Sequence, residues 1–243
     1  MYKKNIYTVV SNKNITANIY EMILSGDTQY IVKPGQFINI AVEGFYLRRP
    51  LSVCFKTENA FTVIYKVVGG GTEKMSMMSS GVKLDVLTGL GNGFDTSLSG
   101  NKPLLIGGGA GVPPMYYLAE TLIREGRKVT VIEGFNSKNE IFYENEFKSL
   151  GAEVIITTVD GSYGVKGFVT DAFIEDYSYF YTCGPEPMLK AVYDKTATSG
   201  QFSFEERMGC GFGACMGCTC KTKYGNKRIC KDGPVLLKEE IVW

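Results

Sequence analysis

The chain has 243 residues, 44% of them hydrophobic, and a formal net charge of +1. This length and composition predict a packed protein with one large domain or two to three small ones. The near-neutral charge gives no indication of binding to nucleic acid or to a membrane surface, and no apolar run reaches the ~18 residues that span a bilayer. The absence of histidine excludes histidine acid–base catalysis, Rieske clusters and histidine-ligated haem or zinc.

Residues 1–100 predict an antiparallel Greek-key β-barrel. They contain short runs rich in Val, Ile, Tyr and Phe, separated by turn residues, which is the pattern of a barrel or sandwich. One helix is expected over Thr72–Ser80. Turns are predicted at Asn12–Asn14, Ser25–Asp27 and Lys33–Gly35. The predicted strands are Ile6–Val10, Ile15–Ile23, Gln36–Val42, Leu51–Phe55 and Phe61–Val68.

Residues 101–198 predict a parallel α/β nucleotide-binding sheet. Short apolar strands alternate with helices, which is typical of a parallel sheet with helices on both faces. The predicted strands are Pro103–Ile106, Val129–Glu133, Val154–Thr158 and Tyr179–Thr182. The predicted helices are Met115–Arg124, Tyr143–Leu150, Val169–Ile174 and Pro187–Thr196.

Residues 199–243 change to Gly, Cys and short β-like runs, and they predict a small cysteine-rich module. We therefore predict a multi-domain α+β fold with three parts, which are the barrel, the α/β sheet and the cysteine module. Five of the seven cysteines lie between residues 210 and 230, and an odd number crowded in this way favours metal ligation over disulfides. Since the N-terminus has no apolar signal core, we expect a cytoplasmic protein.

The most specific pattern is a set of four cysteines with the spacing C-x4-C-x2-C-x11-C. This spacing matches plant-type [2Fe–2S] clusters, and the glycines between the first three allow the backbone to wrap around an inorganic core. Structural zinc is the alternative, although it usually takes its thiolates as two C-x2-C pairs. We predict that Cys210, Cys215, Cys218 and Cys230 bind iron.

Cys220 complicates this ligand set. It lies two residues after Cys218 on an extended run, where alternate side chains point to the same side. We interpret it as a non-ligand, and an exchange of roles between Cys218 and Cys220 is the open alternative.

Two segments predict nucleotide contacts at the carboxyl edge of the α/β sheet. The glycine run Gly107–Gly111 ends a strand and begins a helix, where free amides and the helix dipole favour a diphosphate. Cys183-Gly184 follows a later strand at the same edge. The alternatives are a tight strand-to-helix turn for the glycines and a small buried residue for the cysteine.

Two segments of the barrel predict anion contacts. Arg48 and Arg49 precede Pro50-Leu51-Ser52 at a strand entry, where a guanidinium can bind a diphosphate and a serine can reach a flavin ring. Gly69–Thr72 at a helix start offers a second anion site. The alternatives are a solvated charge patch and a flexible turn.

In chain order, Arg49–Ser52 and Gly71-Thr72 in the barrel and Gly107–Pro114 and Cys183–Met188 in the α/β domain resemble the ferredoxin–NADP reductase superfamily. The segments Glu206–Cys218 and Cys230–Val235 are similar to the electron-transfer subunits of NAD-dependent, B-type dihydroorotate dehydrogenases. The similarity covers essentially the whole chain. Two features depart from the superfamily: Leu51 stands where an aromatic residue often stacks on the flavin, and the usual C-terminal aromatic lid has no clear counterpart.

The resemblance implies FAD in the barrel (1–100), NAD in the α/β domain (101–198) and one [2Fe–2S] cluster in the module (199–243). It implies an FMN-containing partner that oxidises dihydroorotate in de novo pyrimidine (UMP) biosynthesis, in a heterotetramer of two plus two subunits. Electrons would run from the partner's FMN through the cluster and FAD to NAD+. No residue of this chain needs to act as an acid or base, and Cys183 is expected to line the nicotinamide pocket. The implied FAD contacts are Arg49, Pro50, Leu51, Ser52, Ile64, Tyr65, Lys66, Gly71 and Thr72, and the nucleotide contacts are Gly107, Gly108, Gly109, Gly111, Cys183 and Gly184.

NAD is favoured over NADP because a 2′-phosphate usually needs an arginine near the end of the second strand, and Glu133–Lys138 offers only Lys138. Three other functions stay open. They are the reductase subunit of a ferredoxin-, sulfur- or hydrogenase-linked NAD(P)H complex, a zinc-stabilised binding module without turnover, and a stand-alone NADH oxidase or diaphorase.

Overall fold

A computed structural model describes residues 2–243, and its N-terminal part is a closed barrel of six antiparallel strands. The strands are β1 (Lys3–Thr16), β2 (Ile19–Ser25), β3 (Phe37–Ile40), β4 (Arg49–Lys56), β5 (Ala60–Lys66) and β6 (Lys83–Leu90). Their order around the barrel is β1-β2-β5-β4-β3-β6. This is a Greek key, because β3, β4 and β5 are consecutive neighbours and β6 returns to lie beside β3. The predicted barrel is confirmed.

Two local predictions in the barrel are wrong. Asn12–Asn14 is not a turn but lies inside β1, where the pairing with β2 shifts register after Val9 and again after Asn14. Such irregularities bend a long strand, so β1 can follow the barrel wall without ending. The chain instead turns at Ala17, with φ 39°, so the predicted strand Ile15–Ile23 is divided between the end of β1 and β2. Strand β6 was not predicted, although it closes the barrel by pairing with both β1 and β3.

One short helix, α1 (Gly70–Ser76), connects β5 to β6, and it begins earlier and ends earlier than predicted. The barrel interior is filled by alternate side chains of the strands, as a half-buried strand pattern requires. Among the fully buried ones are Tyr7, Met22, Ile38 and Val63.

The second part is a seven-stranded sheet with helices on both faces. Its strands are β7 (Pro103–Gly108), β8 (Thr130–Phe135), β9 (Glu153–Thr158), β10 (Val165–Lys166), β11 (Tyr179–Cys183) and β12 (Gly200–Ser203), which are parallel, and the antiparallel β15 (Val235–Leu237). Its helices are α2 (Val112–Arg124), α3 (Glu144–Leu150) and α4 (Glu186–Lys195). The order across the sheet is β10-β9-β8-β7-β11-β12-β15, so the strand order reverses direction beside β7.

Each face of this sheet has its own core. Leu105 and Val131 pack with the residues of α2 and α3 on one face, whereas Ile106 and Ile132 pack with Leu189 of α4 on the other. The predicted parallel sheet is confirmed, with two local differences. The segment Val169–Ala172 forms a single 3₁₀ turn where a longer helix was predicted, and β10 was not predicted.

The C-terminal segment is joined to the sheet and also forms a small hairpin of β13 (Thr219–Thr222) and β14 (Gly225–Arg228). The sheet continues past residue 199, because β12 pairs in parallel with β11 and β15 pairs with β12. The cysteine-rich loop therefore lies between two strands of the nucleotide sheet. Within residues 2–243, no helix is long and apolar enough to cross a membrane.

Helix α2 connects the sheet to the barrel. Phe55 of β4 meets the rings of Tyr116 and Tyr117 edge to face, at centroid distances of 6.0 and 6.3 Å. Close by, the hydroxyl of Tyr143 donates a hydrogen bond of 2.7 Å to the carboxylate of Glu21 on β2. Aromatic packing and one charged hydrogen bond thus hold the two parts together.

We predict that Tyr143→Phe lowers the free energy of unfolding by about 1–2 kcal/mol, because a hydrogen bond to a charged acceptor is lost at a half-buried interface. Urea unfolding followed by tryptophan fluorescence and by circular dichroism measures the change. Tyr224→Phe is the matched control, since Tyr224 is 78% exposed. Equal midpoints for the two variants would contradict the role of this hydrogen bond.

Candidate functional site

The start of β4 and the start of α1 together form a cationic corner of the barrel. The guanidinium of Arg49 lies against Gly71 so closely that a methyl group at Gly71 would be 2.2 Å from Arg49 Nε. The guanidinium also lies 5.0 Å from the centre of the Phe45 ring. Among residues 2–243, no carboxylate forms an ion pair with Arg49, whereas Arg48 pairs with Asp85 at 3.0 Å. Arg49, together with the free amides at the start of α1, is therefore suited to bind an anionic group.

The other predicted flavin contacts on β4 are half-buried and accessible from this corner. Pro50 and Ser52 pair with β3, and Leu51 packs against the barrel core. The hydroxyl of Ser52 has no hydrogen-bond partner within the described chain, so it is available to a ligand.

Thr72 has a structural role that the sequence did not indicate. Its hydroxyl accepts hydrogen bonds from the amides of Val68 (3.0 Å) and Gly69 (3.3 Å) and donates one to the carbonyl of Gly69 (2.9 Å). These three bonds fix the turn before α1 in a capping arrangement. The hydroxyl is thus already occupied, and Thr72 shapes the anion site through the backbone.

The three predicted residues of β5 point in different directions. Tyr65 is 2% exposed, its hydroxyl donates to Asn12 Oδ1 at 2.9 Å, and burial raises its pKa to about 12. Its side chain therefore belongs to the barrel interior, so only its backbone is available to a flavin. Ile64 packs under the sheet with the residues of α2, and Lys66 lines a cavity between barrel and sheet.

The two glycine-containing turns predicted to bind the nucleotide meet at the sheet edge. A methyl group at Gly111 would lie 2.1 Å from the carbonyl oxygen of Cys183, and one at Gly108 would lie 2.4 Å from Met188 Sδ. Only glycine permits the approach of the Cys183 backbone at Gly111, whereas a side chain at Gly108 would have to displace Met188. Gly109 also has a φ of 50°, in the left-handed region. Pro113 and Pro114 follow in the first turn of α2, where a missing amide hydrogen costs little.

Above these turns lies a largely apolar cavity of about 520 Å³, a size typical of small-molecule sites. Its lining includes Gly108, Gly109 and Ala110 from the turn after β7, and Pro185 and Met188 from the turn after β11. The cavity thus lies at the carboxyl ends of the strands, next to the point where the strand order reverses. This is where open α/β sheets bind dinucleotides.

Cys183 is placed differently from the prediction. Its side chain is 1% exposed, packs in the core under α2 and does not line this cavity, and burial raises the pKa of its thiol. The residue contacts the nucleotide turn through its carbonyl group at Gly111. The small volume of Cys183 allows the two turns to pack against each other. This agrees with the alternative interpretation of Cys183 as a small buried residue.

The four predicted iron ligands lie together as two pairs. The amide of Cys215 donates to Cys210 Sγ at 3.4 Å, and the amide of Cys230 donates to Cys218 Sγ at 3.4 Å. Within residues 2–243, no three His, Cys, Asp or Glu side chains are grouped as a single metal ion would need. Two pairs of thiols suit a centre with two irons, each of which takes two cysteines.

The loop backbone favours the thiolate of Cys210, whereas burial and the neighbouring Cys218 raise the pKa of Cys230 to about 12. Burial disfavours the charged form of Cys210, but amide hydrogen bonds from Cys215, Phe212 and Ala214 outweigh it and lower its pKa to about 6. Amides aimed at cysteine sulfur are what an iron–sulfur cluster requires around its ligands. The residues present therefore fit a [2Fe–2S] cluster.

Glycines place this loop directly on the barrel. Gly211 has a φ of 78°, and a methyl group there would lie 2.3 Å from Asn39 Nδ2 of β3. The side chain of Asn92 anchors the far side of the segment by donating to the carbonyl of Val235 (2.8 Å) and accepting from its amide (3.1 Å).

Cys220 packs in the same side-chain cluster as Cys218, but among the described residues it forms no hydrogen bond with either pair. It sits on β13 opposite Lys227 and lines a second cavity of about 370 Å³ with Glu206 and Trp243, whereas Cys218 does not line that cavity. The positions support the interpretation of Cys220 as a non-ligand.

Comparison with known proteins agrees with this arrangement. The model of the iron–sulfur cluster binding domain of dihydroorotate dehydrogenase B matches residues 205–242, and that of the oxidoreductase NAD-binding domain matches residues 105–194. A chain from a solved NADH-dependent reduced ferredoxin–NADP oxidoreductase is 29% identical with a TM-score of 0.89, over 98% of this chain and 90% of that chain. A ferredoxin NADP+ reductase from Neisseria gonorrhoeae, with bound FAD and NADP, is 16% identical with a TM-score of 0.68, over 79% of this chain and 90% of that chain, and shows the same fold. The fold and the matched domains define an NAD-linked, iron–sulfur oxidoreductase.

Curated relatives identify one family within this class of oxidoreductases. The electron transfer subunit of dihydroorotate dehydrogenase B (NAD(+)) from a Geobacillus species is 45% identical over 100% of both chains. The subunits of the same name from Bacillus pumilus (44%, 98% of each chain) and Fusobacterium nucleatum (43%, 96% of each chain) are similar. This chain belongs to the family of dihydroorotate dehydrogenase B electron transfer subunits.

We predict that Cys218→Ser abolishes the visible absorption and the reduced-state EPR signal of the iron–sulfur cluster, whereas Cys220→Ser keeps both. Serine is a poor replacement for a thiolate ligand of iron, and Cys220 lies outside the two pairs. Iron content per chain after anaerobic purification gives an independent measurement. The opposite pattern in the two variants would reassign the fourth ligand to Cys220.

Proposed function

We propose that this chain passes electrons from dihydroorotate, oxidised on a separate catalytic subunit, to NAD+. The observation that carries the proposal is the position of the paired cysteines, held against the FAD-type barrel by Gly211 and Asn39. The names of the full-length relatives supply the substrate and the acceptor. When bound, FAD exchanges electron pairs with nicotinamide as hydride and single electrons with a [2Fe–2S] cluster, so the cofactors supply the redox chemistry.

The residues of this chain then bind and position these groups. We assign FAD to residues 1–100, where Arg49 and the start of α1 would hold its diphosphate and Ser52 would reach its ring. We assign NAD to residues 101–198, with its diphosphate at the Gly107–Gly111 turn, and the cluster to residues 199–243. No side chain has to act as an acid or base, which agrees with a sequence that lacks histidine.

The exposure of the cysteines indicates where electrons enter. Cys218 and Cys230 are both 2% exposed, whereas Cys215 lies at the surface. We propose that the Cys210–Cys215 side of the cluster faces the partner and the Cys218–Cys230 side faces the interior. The partner would be an FMN-containing dihydroorotate dehydrogenase subunit, in a heterotetramer of two plus two subunits, with no nucleic acid and no membrane involved. All seven cysteines are free thiols, which suits a reducing, cytoplasmic location.

Anaerobic pull-down from native extract tests this assignment. We expect the chain to retain a flavin and iron–sulfur spectrum, to bring down a partner that contains FMN, and to reduce NAD+ with dihydroorotate only when both subunits are present. A partner that is a hydrogenase or another large flavoprotein would overturn the proposal in favour of a different reductase complex. Full activity of the chain alone, with no partner by native mass, would indicate a stand-alone diaphorase.

We predict that Gly71→Ala lowers the FAD content per chain several-fold, because the added methyl group would push Arg49 away from the start of α1. Gly69→Ala is the matched control, since nothing lies within 4 Å of a methyl group there. The ratio of flavin absorbance to protein after gel filtration measures the effect. If both variants keep FAD equally, the diphosphate is not held at this corner.

A further inference from the structure

One half of the cavity at the sheet edge, above the ends of β8 and β9, contains polar side chains that lie outside the glycine turns. Glu140 lines this half. Asn136 donates to Glu140 Oε2 from its side-chain nitrogen at 2.8 Å and from its amide at 3.4 Å, and Asn136 lines the cavity as well. The carboxylate is therefore held in one place on the cavity wall, with its second oxygen free.

Thr157, near the end of β9, lines the same half of the cavity. It is fully buried, and its hydroxyl has no hydrogen-bond partner among the described residues. A buried hydroxyl without a partner costs free energy and is rare in native proteins. The space beside this hydroxyl is already occupied, because a methyl group at Gly134 on β8 would lie 2.6 Å from Val169 Cγ1 and 3.4 Å from Thr157 Oγ1. Thr157 therefore presents no exposed surface to a ligand.

The acid usually expected at the end of the second strand does not reach the cavity. In many dinucleotide-binding sheets an acidic residue there binds the adenosine ribose of NAD. Glu133 has that position on β8, but it is fully buried, and it does not line the cavity. Glu140, on the loop after β8, provides a carboxylate to the cavity in its place.

The cavity offers little to a 2′-phosphate. Within residues 2–243, Lys66 is the only basic residue in its lining, and no arginine is among the lining residues. Lys66 comes from β5 of the barrel and not from the β8–β9 side. A phosphate on that side would meet Glu140 without an arginine to bind it.

We propose that Glu140 binds the adenosine ribose of NAD(H) and makes the site reject NADP(H). This proposal rests on the proposed NAD site. The diphosphate at the turn after β7 separates the two halves of the dinucleotide, so one nucleoside lies above β8 and β9 and the nicotinamide lies toward β11. A fixed carboxylate accepts hydrogen bonds from the ribose hydroxyls and repels a doubly charged phosphate attached to the same ribose.

Binding of two non-redox ligands, ADP-ribose and 2′-phospho-ADP-ribose, to the full-length chain tests this by calorimetry. We expect the native chain to prefer ADP-ribose and Glu140→Gln to reduce that preference by roughly tenfold, mainly through tighter binding of the phosphorylated ligand. Glu146→Gln is the matched control, because it removes one negative charge from an exposed residue of α3 that does not line the cavity.

Each outcome decides between the assignments. An unchanged preference in Glu140→Gln, including equal loss of both ligands, would overturn the proposal and leave Glu140 with a role in holding the loop through Asn136. The same change of preference in Glu146→Gln would also overturn it, because the effect would then be one of overall charge. If the native chain binds neither ligand, the nucleotide site of the proposed function fails as well.

Discussion

The arrangement of this protein depends on one close contact, between the cysteine loop and the outer wall of the barrel. Gly211 approaches Asn39 of β3 so closely that no side chain fits between them. β3 pairs directly with β4, the strand that begins at Arg49. Since electron transfer slows steeply with distance, a cluster bound by this loop would have to lie close to a cofactor held at β4. A positive φ at Gly211 and the absence of its Cβ satisfy this requirement.

The same strand also connects the barrel to the nucleotide sheet. At one end β4 provides the half-buried residues of the cationic corner, and near its other end Phe55 packs on α2. Helix α2 begins at the turn formed by Gly109–Gly111. A single strand and a single helix therefore fix the cationic corner relative to this glycine turn, and Tyr143 adds a charged hydrogen bond across the same interface. Rigid elements position both sites, which is how a preorganised site keeps its geometry.

The sequence predicted the parts of the structure that local chemistry decides. Buried strands such as Pro103–Ile106 and the glycine turn after them are visible in the chain because each is a short apolar run followed by residues with special backbone freedom. The candidate iron ligands could also be recognised from the cysteine spacing, since the number and separation of ligands are properties of the sequence itself. Strand β6 was missed because its place depends on pairing with β1 and β3, which are distant in the chain.

Side-chain roles were harder to predict because a hydroxyl or thiol can serve either a ligand or the protein. Thr72 follows a glycine run as an anion-binding residue would, yet its hydroxyl is used by the amides of Val68 and Gly69. Cys183 lies at the predicted sheet edge, but alternation along β11 turns its thiol into the core. Glu140 carried no sequence signal, since its place in the cavity depends on a hydrogen bond from Asn136.

The two cysteine pairs differ in exposure, and this difference indicates which side of a bound cluster would face outward. The loop of Cys210 and Cys215 is at the surface, where Phe212 stacks on Tyr2 at 5.3 Å and Met216 is 55% exposed. The pair of Cys218 and Cys230 is enclosed between the hairpin and the sheet. A cluster bound in this way would have one iron near the surface and one near the interior. An electron could then enter from outside the chain and leave toward the barrel, without any need for a substrate pocket beside the cysteines. An electron transfer subunit needs such an exposed side, and in the described residues it lies at Cys210 and Cys215 and not at the cavity of the nucleotide sheet.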